Sequence, residues 1–144
     1  MRAAGDSSLS EGFRAAATGT YATALGRFAQ ATGTSSIAIG SDMRNGANAT
    51  ANGSIALGAQ SLAQSENSIA IGSQASATVK DAISLGYLSK GGGSFAVAIR
   101  TGTIANGYSP TALGSGAQAT ADEASALGIY ASATELQSVA LGAR

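Results

Sequence analysis

The chain of 144 residues has no cysteine, no histidine, no tryptophan and one proline, and only 11% of it is charged and 5% aromatic. Each shortage closes a class of function. Without cysteine there is no disulfide and no thiolate metal site, so folding proceeds without oxidative help. Without histidine, the commonest general base and the commonest metal ligand are lost together. Eight Lys and Arg balance eight Asp and Glu, which offers no net field to a nucleic-acid backbone or an anionic membrane, and neither is an expected partner. No apolar run approaches the ~20 residues of a membrane-spanning helix. Met1–Gly12 also lacks the apolar core of a signal peptide, so if the native protein is exported, the expectation is that this chain is a piece of it. Disorder is excluded from the other side, by a 44% share of hydrophobic residues.

What the chain does have is twenty glycines and a period. The stretch SIAIG at Ser36–Gly40 returns unchanged at Ser68–Gly72, and related endings place glycines at 12, 26, 40, 58, 72, 86, 114, 128 and 142. Most steps are 14 residues. The double step from 86 to 114 has Arg100 at its midpoint, in AVAIR, which marks a further repeat without its glycine. The one 18-residue step, from Gly40 to Gly58, contains a four-residue insertion at Asp42–Asn45.

With the glycine as position 0, position 13 is Leu or Ile in every repeat but the first, where Glu11 stands, and position 11 is aliphatic or small. Between them, position 12 is always small: Ala24, Ala38, Ala56, Ala70, Ser84, Ala98, Ala112, Ala126 and Ala140 follow Ser10. This is the period of a β-strand whose two faces differ in size. After the glycine, positions 3 and 5 are small around a variable position 4, which predicts a second strand with position 4 toward solvent. Two strands of about five residues joined by tight turns give one coil per repeat, a two-sided all-β solenoid about ten coils and roughly 45 Å long. Residues 1–7 read as a lead-in and 8–144 as the repeat domain. Gly33, Gly93 and Gly107 are expected at the opposite turn. The small column at position 12 is expected to face sister chains, with positions 3, 5, 11 and 13 filling each coil; the opposite assignment, with the large residues at the subunit interface, stays open.

The repeated [SA]-[IV]-A-[IL]-G ending, as in SIAIG, SIALG, SVALG and AISLG, resembles the YadA-like head of trimeric autotransporter adhesins, over about residues 8–144. That resemblance implies a left-handed parallel β-roll assembled as a homotrimer and displayed on the bacterial cell surface, outside the outer membrane. Its partners would be itself and host matrix proteins such as collagen, fibronectin or laminin, or the host cell surface. Function follows from the same source: an adhesin head presenting a rigid multivalent surface, or alternatively a passive spacer in the same kind of fibre. Neither stalk heptads nor a membrane anchor is visible in these residues. Arg100 at the corner, SKGGGS at Ser89–Ser94 and Glu11 in the first coil depart from the family pattern.

Motifs for chemistry find bland explanations. GSGAQA at Gly114–Ala119 satisfies a dinucleotide-binding pattern, but the repeat accounts for its glycine and alanines and no helix follows. KGGGS at Lys90–Ser94 lacks the residue order of a phosphate loop. Asp122–Glu123 is the only adjacent acidic pair and reads as a solvated turn. A 14-residue period without histidine does not match the three-sided coils of acyl-transferring β-helices, and the single file of threonines at position 6 does not make an ice-binding face. No enzymatic activity, catalytic residue, metal or cofactor is expected. Partner recognition is assigned to residues the repeat does not require: Asp42, Met43, Arg44 and Asn45, then Tyr87, Leu88, Lys90 and Arg100. The aromatics Phe28, Tyr108 and Tyr130 join them, although Phe28, Leu88 and Tyr130 share position 2 and serve equally well as corner caps.

Overall fold

Triplets such as Ile37–Ile39 and Ile69–Ile71, each followed at once by glycine, cannot extend into long strands, so the chain gains its backbone hydrogen bonds by stacking coil on coil. The computed structural model describes residues 1–142. It is an all-β parallel solenoid of about ten coils with 14 residues per turn, built from two ten-stranded parallel sheets. One sheet contains three-residue strands, from Leu9–Glu11 to Val139–Leu141, and the other two-residue strands, from Arg2–Ala3 to Ser132–Ala133. The strands are thus shorter than the five residues expected. Ladders join equivalent positions of successive coils, as in Ile69↔Ile83 and Ala77↔Gly91. Arg2–Ala3 already pairs with Ala16–Ala17, so the first coil includes the segment read as a lead-in.

Each coil is itself two similar halves of seven residues. Turns close by a hydrogen bond from the N–H of position 3 to the carbonyl of position 0, and again from position 10 to position 7, as in Ala15 to Gly12 and Ala22 to Gly19, both at 3.2 Å. The residue before each donor, at positions 2 and 9, is left-handed: φ is 56° at Arg14, 59° at Tyr21, 60° at Phe28 and 56° at Ser35. A left-handed third residue in such a turn is the mark of type II geometry.

Burial corrects the sequence expectation about which face is inside. The core consists of positions 3, 5, 10 and 12, mostly alanine, and its largest fully buried side chains are Thr103, Pro110 and serines. Ala24, Ala38, Ala56, Ala70, Ser84, Ala98, Ala112 and Ala126 are 0% exposed, and Ala140 packs against the same core. They are therefore enclosed by their own chain, not turned to a sister chain. The physical reason is width. Two short strands joined by tight turns leave room inside for side chains of no more than three heavy atoms, so isoleucine and leucine at positions 11 and 13 have to stand outside. Five buried serines, Ser36, Ser54, Ser61, Ser68 and Ser89, are accommodated because their hydroxyls donate back to turn carbonyls, as Ser36 does to Gly33 at 2.7 Å and Ser61 to Gly58 at 2.9 Å. This offsets the cost of burying a hydroxyl, whereas Ser10 Oγ in the first coil has no partner among the described residues.

The position-0 column needs glycine twice over. Its φ runs from +101° at Gly142 to +154° at Gly40, and a Cβ at Gly72 would sit 2.7 Å from the carbonyl carbon and oxygen of Gly86. Arg100 keeps this backbone with φ +100°, a strained state for a side-chain-bearing residue. Gly33, Gly93 and Gly107 do lie at the opposite turn; there the constraint is close approach, with a Cβ falling 1.6–2.1 Å from the next coil's carbonyl oxygen.

Candidate interaction surface

Because the interior takes only small residues, the three-residue strands carry their large ones outward. Ile37, Ile39, Ile55, Leu57, Ile69 and Ile71 form an apolar surface that continues through Leu85 and Val97 to Leu127, its position-13 file unbroken and its position-11 file interrupted by Thr111 and Ser125, with Ile39 and Ile71 about two-fifths exposed at 40% and 38%. Ladder neighbours sit ~4.8 Å apart along the axis, so the branched side chains cover one another's flanks and leave their outer ends free. The two-residue strands present Gln30, Asn48, Leu62, Ser76, Lys90, Ile104 and Gln118 instead, a mixed polar face.

The turns form two edges, and the neutral composition conceals a division of charge between them. Among the described residues, the edge made by positions 0–2, with the insertion, bears Arg14, Arg27, Arg44 and Arg100 against Asp42. The edge made by positions 7–9 bears Asp6, Glu66, Asp81, Asp122, Glu123 and Glu135 against Lys80. Lys80 meets Glu66 at 3.3 Å, the one ion pair among the described residues. The charges are therefore sorted across the solenoid and not neutralised locally.

The partner candidates read from the sequence fall largely on the arginine edge. Tyr87, Leu88 and Arg100 come from the turns of adjacent coils, linked by the Gly102 N–H donating to the Tyr87 carbonyl at 2.9 Å. All three are exposed, as is Lys90 on the short-strand sheet beside them. Arg100 borders a shallow groove lined by Ile99, Leu113, Gly114, Gly128 and Ile129. Tyr130 lies on this edge too, its ring against Gly116, where a Cβ would come within 2.5 Å of it. Tyr108 stands apart on the acidic edge, stacked edge-to-face with Phe95 at 5.7 Å.

The insertion loops outward without disturbing the ladders: Ala31↔Ala49 and Ile39↔Leu57 stay in register across it. Asp42 anchors the loop by accepting from Gln60 Nε2 of the next coil and from the Met43 N–H. The Gln60 hydrogen bond, followed by that of Met43, holds its carboxyl below the ordinary aspartate range. Met43, Arg44 and Asn45 are left exposed.

One cluster escaped the sequence reading although its signal was there. Phe13–Arg14 and Arg27–Phe28 occupy positions 1 and 2 of consecutive coils in reversed order, so their four side chains interleave. The two rings meet edge-to-face at 5.8 Å, and each guanidinium lies over both rings at 5.1–5.8 Å.

A stacked parallel β-solenoid with a repeated aliphatic outer file has the architecture of a structural repeat module. The family model for the YadA head domain repeat matches residues 17–42, 45–61, 63–89, 105–131 and 119–144, and the chain belongs to that family. YadA heads are associated with trimeric autotransporter adhesins, which are structural, surface-displayed proteins. Comparison with curated proteins gives no match.

Proposed function

We propose that the chain is the head of a trimeric autotransporter adhesin, displayed outside the outer membrane, in which three copies of a left-handed roll pack side by side. The observation that carries this reading is the outward file of isoleucine and leucine at positions 11 and 13. A contiguous apolar surface of this length on a single chain marks an association face, and a cyclic arrangement around a common axis covers all three such faces at once. This is the alternative the sequence left open, with the large residues between subunits. Adhesion then operates by repetition: three copies of each exposed loop on one rigid rod turn weak single contacts into avidity. Asp42–Asn45, Tyr87, Lys90 and Arg100 are the residues proposed to meet the matrix or host-cell partner, because the packing of the coil does not require them.

Mass measurement in solution tests the assembly, and a monomer at micromolar concentration would remove it. Saturable binding of the purified protein to collagen, fibronectin, laminin or epithelial cells is the expected result for adhesion. If all four fail while the trimer stands, the rod is a passive spacer.

A further inference from the structure

We propose that the arginine edge, at Arg14, Arg27 and Arg44, is a binding site for a linear sulfated polysaccharide. The argument begins with what these cations lack. None of the three is ion-paired among the described residues, and all three are exposed. The insertion carboxylate, Asp42, is hydrogen-bonded to Gln60 and the Met43 N–H and only adds to the field around Arg44 and Arg27, and Glu11 borders the edge without pairing to any of the three. Most opposite charge lies on the other edge of the solenoid. The free cations are nonetheless positioned: Arg14 and Arg27 rest on the Phe13 and Phe28 rings at 5.1–5.8 Å. Stacking of this kind restrains a planar guanidinium while leaving its donor fork free for an oxyanion.

The shape of the edge selects among polyanions. It is a convex ridge one turn wide, on which Arg14 and Arg27 come from successive coils ~4.8 Å apart and Arg44 from the insertion beside the next coil. A thin chain lying lengthwise, with an anionic group on nearly every ring, matches that spacing. A duplex or a bilayer offers a broader surface than the ridge can contact. Phe13, 61% exposed, provides an apolar flank for the C–H face of a sugar, and sulfate esters take the bidentate contacts for which arginine is suited. This inference deepens the adhesin proposal and rests on it for placing the edge where such chains are met.

The test titrates the purified protein with heparin, chemically desulfated heparin, polyglutamate and a DNA duplex at about 0.15 M salt. Heparin is expected to bind saturably, more weakly as salt rises, and the desulfated chain at least about tenfold more weakly. Arg14→Ala/Arg27→Ala is expected to lose about tenfold or more for heparin at unchanged mass and melting temperature. Arg14→Lys/Arg27→Lys, which keeps the charge but loses the stacked fork, falls between the two. No saturable heparin binding, equal binding by the alanine variant, or tighter binding of polyglutamate or duplex overturns the proposal. A change of oligomeric mass in the alanine variant overturns it as well, by assigning the edge to contact between copies. Cells lacking glycan sulfation separate the two readings: undiminished attachment with no heparin binding removes this inference alone, whereas heparin binding without attachment to any cell or matrix protein removes the adhesin reading.

Discussion

Arg100 occupies a backbone position that nine other repeats give to glycine, at φ +100°. Holding a side chain in such a sparsely populated region costs of order 1–3 kcal/mol, so Arg100→Gly is expected to stabilise the fold by about 1 kcal/mol or more, since unfolded-state entropy offsets part of the gain. Thermal denaturation checks this, and an unchanged or lower melting temperature would show that the guanidinium repays the strain through contacts of its own. Ser84 and Ser89 supply a second residue-scale test. Ser84 Oγ lies 2.8 Å from Ser89 Oγ inside the core, and Ser89 also reaches the Gly86 carbonyl at 2.8 Å. Ser89→Ala strands a buried hydroxyl at Ser84 and should cost about 1–3 kcal/mol, whereas Ser84→Ala/Ser89→Ala removes both partners and should be close to neutral. Denaturant melts of the two single variants and the double variant measure the coupling. The sequence displayed both departures from the alanine columns, but not that they face each other, because facing depends on which columns point inward.

At the scale of the coil, the period, the number of repeats and the site of the insertion were all legible, since a stacked ladder repeats its demands at fixed spacing. The direction of the faces was not. Period-2 alternation says that positions 11 and 13 share a face opposite position 12, yet it does not say which face is inside. That is decided by the width between the sheets, which turn geometry sets. The insertion at Asp42–Asn45 leaves both flanking ladders in register, so its deletion should preserve the circular dichroism spectrum and melting temperature while lowering partner binding. Its acid response follows from Asp42. A carboxyl whose folded value is depressed contributes order that is complete above its unfolded value and lost as pH falls through the folded one. Hydrogen-exchange protection at Met43–Asn45, taken relative to the intrinsic rate at each pH, should therefore hold down to the ordinary aspartate range and be lost only below it. Loss already at mildly acid pH would contradict the Gln60 anchor.

For the whole rod, the division between a narrow alanine interior and an aliphatic exterior makes folding and assembly separable. Ile69→Glu/Ile71→Glu changes two outward residues, half-buried and 38% exposed, without entering the core. The expected outcome is loss of the oligomer with retained β-sheet signal, because three copies would bring like charges together on a face that has to desolvate. Mass measurement alongside circular dichroism reads both, and an unchanged oligomer would move the association face elsewhere. The charge division across the two edges was hidden from the sequence for a related reason. Summed over the chain it vanishes, and only when each residue is assigned to a turn do four arginines collect on one edge and six carboxylates on the other among the described residues.

The seven-residue halves of each coil carry a consequence for how the chain finds its native state. Both halves bury small residues at equivalent places and bend through equivalent turns, so a nascent coil displaced by half a turn would fill its interior almost as well as the native one. The alanine interior therefore discriminates poorly between the two threadings. What breaks the degeneracy is the asymmetry outside and at the corner: glycine with a φ above +100° in the position-0 column, and a continuous file of isoleucine and leucine on one sheet's exterior where the other sheet carries Leu62 and Ile104 singly among polar residues. In this chain the residues that stay at the surface do more than those in the core to specify which of two nearly equivalent structures forms.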